Sequence, residues 1–221
     1  RWNYAVLSNK ITIGSDFMAE FAMVAVITIL AVISPGPDFV MVSRNSLAFS
    51  RQAGMLTATG IGIGVLVHVA YTIVGVGFLL QNSPSLFFCF KMAGAAYLVW
   101  MGGTMLFSKG QTTVQTPADC ISTNIAALRM GILTNALNPK TSVFILSLFM
   151  QVVQPGSDLP KLMFYGAFIS MTHIVWFLLV AYFLSAECVR DKVFKARKWI
   201  DRCFGSLLGC FGIALATMAI K

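Results

Sequence analysis

Six apolar runs, separated by short polar stretches, set the pattern of the chain: Phe17 to Ser43, Met55 to Leu80, Phe87 to Phe107, Ile125 to Val153, Leu162 to Ala186 and Phe204 to Ile220. Each approaches or exceeds the roughly 20 apolar residues that a helix needs to cross a bilayer, so six transmembrane helices are predicted. Two of them are interrupted in the middle. Ser34-Pro35-Gly36-Pro37-Asp38 divides the first, and Asn135-Ala136-Leu137-Asn138-Pro139-Lys140 divides the fourth. Proline removes an amide donor and clashes with the preceding turn, which strands carbonyls where lipid offers no replacement. Both breaks must therefore face protein or water, and paired discontinuous helices are a pointer to a transport site.

The two halves match at three anchors. Pro37 corresponds to Pro139 at an offset of 102, His68-Val69-Ala70-Tyr71 to His173-Ile174-Val175-Trp176 at 105, and Lys91 with Gly94 to Arg202 with Gly205 at 111. Each half then holds three spans, the first broken, and an odd number of spans turns the second copy over. The predicted fold is an all-α integral membrane protein of two inverted three-helix repeats. Residues 17–107 form the first repeat, 108–124 a connector and 125–221 the second repeat, with residues 1–16 as an N-terminal arm. Span two is rich in glycine, including Gly60, Gly62 and Gly64, which suits close helix packing in lipid and would accommodate a homodimer. No strand precedes this run, so it is not a phosphate loop.

Composition agrees with the pattern. The 221 residues are 57% hydrophobic and 11% charged, with a mean hydropathy of +0.80, well outside the balance of soluble domains. The short connectors leave no room for a soluble catalytic or nucleic-acid-binding domain. Of sixteen Lys and Arg, ten follow spans one, three and five: Arg44, Arg51, Lys109, Arg129, Arg190, Lys192, Lys195, Arg197, Lys198 and Arg202. Those connections are expected to be cytoplasmic, which puts both termini on the other side. The net charge of +8 thus reads as topology and attraction to anionic lipid, not nucleic-acid binding. The five cysteines lack the spacing of a zinc site or a disulfide framework.

Ionisable groups inside spans are functional candidates because of their cost. Asp38 and Lys140 each follow their break's proline, and they suit either a structural ion pair or the two ends of a zwitterionic substrate. Ser34, Thr134, Asn135 and Asn138 add neutral hydrogen bonds. The expected substrate site is therefore Ser34, Pro35, Gly36, Pro37, Asp38, Thr134, Asn135, Asn138, Pro139 and Lys140. Asp38, His68 and His173 are candidates for carrying a proton, although a buried histidine is more often satisfied by a helix neighbour. Tyr71 and Trp176 read as packing or interfacial aromatics. Enzyme signatures are absent, and no cofactor or metal is expected. Two rivals remain: a divalent-cation exporter, with one buried acid and two histidines as a thin ligand set, and a non-transporting scaffold that binds partner helices through small-residue faces.

Ser34-Pro35-Gly36-Pro37-Asp38-Phe39, Leu133-Thr134-Asn135-Ala136-Leu137-Asn138-Pro139-Lys140 and Lys198-Trp199-Ile200-Asp201 together resemble the LysE/RhtB superfamily of amino-acid exporters. The Asp after Pro-Gly-Pro resembles its threonine-efflux branch. The resemblance implies a multi-pass exporter of the bacterial inner membrane, with both motifs at a central site. It would move small neutral amino acids such as threonine or homoserine outward at the expense of the proton gradient. Its partners would be the amino acid, protons and lipid. The stretch 1–16 departs from the family pattern, which begins close to the first span.

Overall fold

The computed structural model describes residues 2–107, 123–153 and 157–184, with 199, 202, 203, 205–210, 212–214, 216 and 217 beyond them; for residues 2–16, 80, 84 and 184 it describes the backbone alone. The elements are α1 (Trp2–Ile33), α2 (Pro37–Ala48), α3 (Arg51–Asn82), α4 (Pro84–Leu106), α5 (Asn124–Ala136), α6 (Pro139–Val152) and α7 (Leu159–Leu184). Residues 205–210 and 212–214 are helical as well, and there is no strand among the described residues. Helix α1 runs without interruption from Trp2. The stretch expected as a separate arm is therefore helical and continuous with the first span from Trp2 onward.

Each proline motif starts a new helix instead of kinking an old one. At the first break α1 and α2 meet at 55°. Gly36, in extended backbone, caps α2, and Pro37 takes the first helical position, where a missing N–H leaves nothing unpaired. The Gly36 carbonyl accepts from the amide of Val40 at 3.1 Å. At the second break Asn138 is the cap of α6, its side chain accepting from the Lys140 amide, and Pro139 is again first in the helix. The end of α5 closes through Leu137 N–H to the Leu133 carbonyl at 3.1 Å and Asn138 N–H to the Asn135 carbonyl at 2.8 Å.

Among the described residues, three helices are long and apolar enough to cross a membrane, at Arg51–Leu79, Ser85–Leu106 and Leu159–Phe183; the bent pair Phe17–Ile33 and Pro37–Ala48 makes a fourth if it is one span. Six had been expected. The fourth expected span is two helices of 13 and 14 residues, each about 20 Å long at 1.5 Å per residue and too short by itself for a hydrocarbon core of about 30 Å. Part of the sixth, Phe204 to Ile220, lies outside the described residues, as do Lys109, Arg190, Lys192, Lys195, Arg197 and Lys198. Arg44 and Arg129, expected in connections, lie within α2 and α5, and Arg44 is buried.

The helices of the two halves interleave. Helix α3 lies along α5 and α7, α2 packs on α3 and α7, and α4 packs on α6. Small residues set these distances. The Cα of Gly60 faces the Leu128 carbonyl and Gly131, Gly131 in turn faces the Thr57 carbonyl, and Gly102 lies against Gly205 and Gly209. In lipid such close backbone approach substitutes for the hydrophobic drive available in water. One cluster of buried side chains, including Ile27, Val65, Leu98, Phe149 and Ile169, joins α1, α3, α4, α6 and α7. A second, including Val32, Phe39, Ile61 and Phe177, joins α1, α2, α3 and α7 beside the first break.

A methyl group at Gly131 would collide with the Thr57 backbone, whereas one at Gly75 would meet nothing within 4 Å. Gly131→Ala is expected to destabilise the protein by about 1–3 kcal/mol, as overpacking does. Gly75→Ala is expected to be neutral or slightly stabilising. Thermal unfolding of the two purified variants in detergent checks the contrast.

Candidate functional site

Asp38, in the first turn of α2, is buried, and its carboxylate is held by the other half of the chain. Oδ2 accepts from Asn135 Nδ2 at 2.9 Å and from Asn138 Nδ2 at 3.0 Å. The Thr141 hydroxyl is the third donor, at 3.4 Å. Asn138 uses both ends of its amide: Nδ2 serves Asp38 while Oδ1 accepts the Lys140 amide at 3.0 Å, so capping α6 and binding Asp38 are one act. The other carboxylate oxygen, Oδ1, is buried without a hydrogen-bond partner. Gly64 makes room for this arrangement, since a Cβ there would lie 2.8 Å from that of Asn135.

Lys140 reaches in the opposite direction. Its ammonium donates to the Ser34 carbonyl at 2.8 Å and to the Ser34 hydroxyl at 2.7 Å. Ser34 follows the last residue of α1, where carbonyls lack helical partners and a cation is favoured by the helix dipole. Asp38 lies in the first turn of α2 and against the first turn of α6, where an anion is favoured. Both charges thus sit at helix ends of matching polarity, and each is bonded to the opposite break.

The histidines take different roles. His68 Nε2 lies 2.8 Å from the Asn135 carbonyl, which can only accept, so Nε2 carries a proton. In a neutral ring Nδ1 then accepts from the Tyr71 hydroxyl at 2.6 Å, and Tyr71 accepts from Ser142 at 2.6 Å. His173 Nδ1 donates to the Ile169 carbonyl of its own helix at 2.8 Å, and its ring lines a chamber with Asp38.

Two cavities meet at the breaks. An inner chamber of about 20 Å³ is lined by Gly36, Asp38, Asn138, Thr141 and His173 among others, which is room for about one water. A wider cavity of about 370 Å³ is lined by Pro35, Pro139, Tyr97, Trp100 and Val143 among others. Among the described residues, Ser34 and Lys140 alone line both.

Of the residues expected at the site, Ser34, Pro35, Gly36, Asp38, Asn135, Asn138, Pro139 and Lys140 come together around this pair of cavities or bond directly to Asp38. Pro37 is exposed and serves as the first residue of α2. Thr134 lies apart from Asp38, lining a separate cavity with Arg129 and Met130. Sequence reasoning missed Thr141, although it stands three residues after Asn138 and so on the same helix face. It also missed the wall supplied by α4 (Tyr97, Trp100, Met101), because nothing in an apolar span distinguishes a cavity wall from a lipid face. Tyr71, read as a packing residue, is a hydrogen-bond partner of His68.

Apolar helices broken in a pair around opposite charges, a buried Asp38 and a half-buried Lys140, have the build of a membrane transport protein, not an enzyme. The LysE type translocator family model matches residues 29–219, and the chain belongs to that family of membrane proteins. It is 31% identical over 203 residues to the threonine efflux protein of Salmonella typhimurium, covering 90% of this chain and 98% of the relative. It is 27% identical over 215 residues to the leucine efflux protein of Klebsiella pneumoniae, with the same coverage of 90% and 98%. An uncharacterized membrane protein of Vibrio cholerae is 32% identical over 191 residues, 84% of this chain and 90% of the relative. No solved structure matches.

Asn138→Ala removes both a helix cap and a donor to a buried carboxylate, and is expected to cost about 2–4 kcal/mol. Asn138→Ser keeps a capping oxygen but loses the amide donor, and should fall between Ala and the parent. Unfolding midpoints of the three proteins in one detergent provide the measurement.

Proposed function

We propose that this protein exports small neutral amino acids, threonine and homoserine among them, across the bacterial inner membrane by proton-coupled alternating access. The observation that carries the reading is the crossed pairing of the breaks: Asp38 of the first is bonded by Asn135, Asn138 and Thr141 of the second, and Lys140 of the second by Ser34 of the first. A free amino acid carries the same two charges. Its carboxylate would compete with Ser34 for Lys140, and its ammonium would meet Asp38, whose Oδ1 is buried without a partner. The threonine and leucine efflux relatives support an amino-acid substrate.

The halves would move as two inverted three-helix units, each with its broken helix near the bilayer midplane. The matching proline starts of α2 and α6 and the interleaving of α3 with α5 and α7 support that reading. Substrate would enter from the cytoplasm, displace the hydrogen bonds that join the breaks, and leave outward. Asp38, with His68 and His173 nearby in the fold, would take up a proton on the return. The basic residues support cytoplasmic connections after spans one, three and five, with both termini outside. Glycine-rich faces would allow a homodimer. Divalent-cation export is less well supported, because among the described residues no three His, Cys, Asp or Glu side chains gather.

Reconstituted vesicles loaded with radiolabelled threonine and given a proton gradient test the proposal. Asp38→Asn is expected to cut proton-driven transport at least tenfold and to flatten its pH dependence. Transport with unchanged rate and pH profile would remove Asp38 from the mechanism.

A further inference from the structure

The inner chamber has space for about one water, so in this conformation it takes a head group at most. The wider cavity, beyond Ser34 and Lys140, is a neighbouring space of substrate size at the breaks. At about 370 Å³ it falls within the range of small-ligand sites. It has more than twice the volume of an apolar cavity of about 150 Å³ that accepts benzene.

Its wall is mostly apolar. Trp100, Met101 and Met105 of α4 face Val143 of α6, with Pro35 and Pro139 from the two breaks; the remaining lining is Ser34, Tyr97, Thr104 and Lys140. Tyr97 is positioned by its hydroxyl, which donates to the Lys140 carbonyl at 3.5 Å. Its ring lies 5.5 Å from that of Trp100. Met101 and Met105 are buried, and Trp100 is exposed at the rim. A threonine side chain would leave most of this volume wet and would set its hydroxyl against thioether and aromatic carbon. A four-carbon or thioether side chain would cover the wall, and methionine linings adapt to irregular apolar shapes.

We infer that the cavity behind Lys140 is the side-chain subsite of the transporter, and that Trp100, Met101, Met105 and Val143 make it selective for neutral amino acids with larger apolar side chains, leucine and methionine above threonine. The inference rests on the amino-acid export proposed above and shifts its preferred substrates from threonine toward larger apolar side chains. The carboxylate sits at the partition, on Lys140 and the Ser34 hydroxyl. The side chain points outward from it into the cavity, and the ammonium points inward to Asp38. Each additional methylene buried against this wall contributes about a fourfold preference.

The test is export of radiolabelled threonine, leucine and methionine by the purified protein in vesicles, each measured singly and in competition, for the parent and two variants at one position. In the parent, leucine and methionine should be transported with at least tenfold higher kcat/KM than threonine. Val143→Phe, which narrows the cavity, should lower the leucine-to-threonine ratio about tenfold, while Val143→Ala should raise it. Misfolding cannot move that ratio in opposite directions. Export of threonine with neither export of nor competition by leucine and methionine would overturn the inference and leave the proposed function standing. A ratio unmoved by both variants would do the same. If none of the neutral amino acids is moved, both readings fall together.

Discussion

One buried carboxylate holds the two halves of this molecule at their weakest points. A helix broken inside an apolar span exposes amides and carbonyls that lipid cannot satisfy, and the protein has two such breaks. It satisfies each with polar side chains from the other. Asp38 draws Asn135, Asn138 and Thr141 toward the start of α2, and Lys140 reaches back to the last carbonyl region of α1. Neither break would be tolerable alone. The same bonds that make the fold affordable in lipid concentrate opposite charges beside a cavity, which is what a zwitterionic cargo requires.

The two proline motifs sit at corresponding places in the chain, and the repeat proposed from them would give this arrangement its economy. Asp38 and Lys140 occupy corresponding places after their prolines, 102 residues apart, yet carry opposite charge. Two similar motifs folded against each other therefore make a polar site, not a repulsive one. The histidines show the same divergence: His68 ties α3 to the Asn135 carbonyl across the halves, whereas His173 is bonded within α7. The glycines of α3 and α5 keep the backbones close enough for such cross-bonding, and any substitution that separates them also loosens the site.

Much of this was legible in the sequence. Two Pro-containing interruptions inside apolar runs are physically expensive, so their pairing could be read from residue types alone, whereas their role as helix starts at Pro37 and Pro139 came from the structure. Asp38, Asn135, Asn138 and Lys140 stood out for the same reason. The partition of roles could not be read: an ion pair and a crossed set of bonds use identical residues, and only geometry shows that Lys140 is bonded to Ser34 and Asp38 to the amides. Thr134, next to Asn135 in sequence, lines a different cavity with Arg129 and Met130, because the turn of α5 carries it to another face. Six spans were expected where, among the described residues, three, or four with the bent pair, meet the length and hydropathy of a crossing helix; dividing the fourth run in two leaves each part too short, and part of the sixth lies outside the described residues. The wall from α4 was invisible, since an apolar helix presents the same composition to a cavity and to lipid.

The central claim is that Asp38 is coupled across the breaks to the amides of the second half. A double-mutant cycle on unfolding in detergent, using Asp38→Ala, Asn135→Ala and the double variant, measures that coupling most directly. A coupling energy of about 1–3 kcal/mol is predicted for a buried charge-assisted hydrogen bond. Strict additivity of the two substitutions would contradict it.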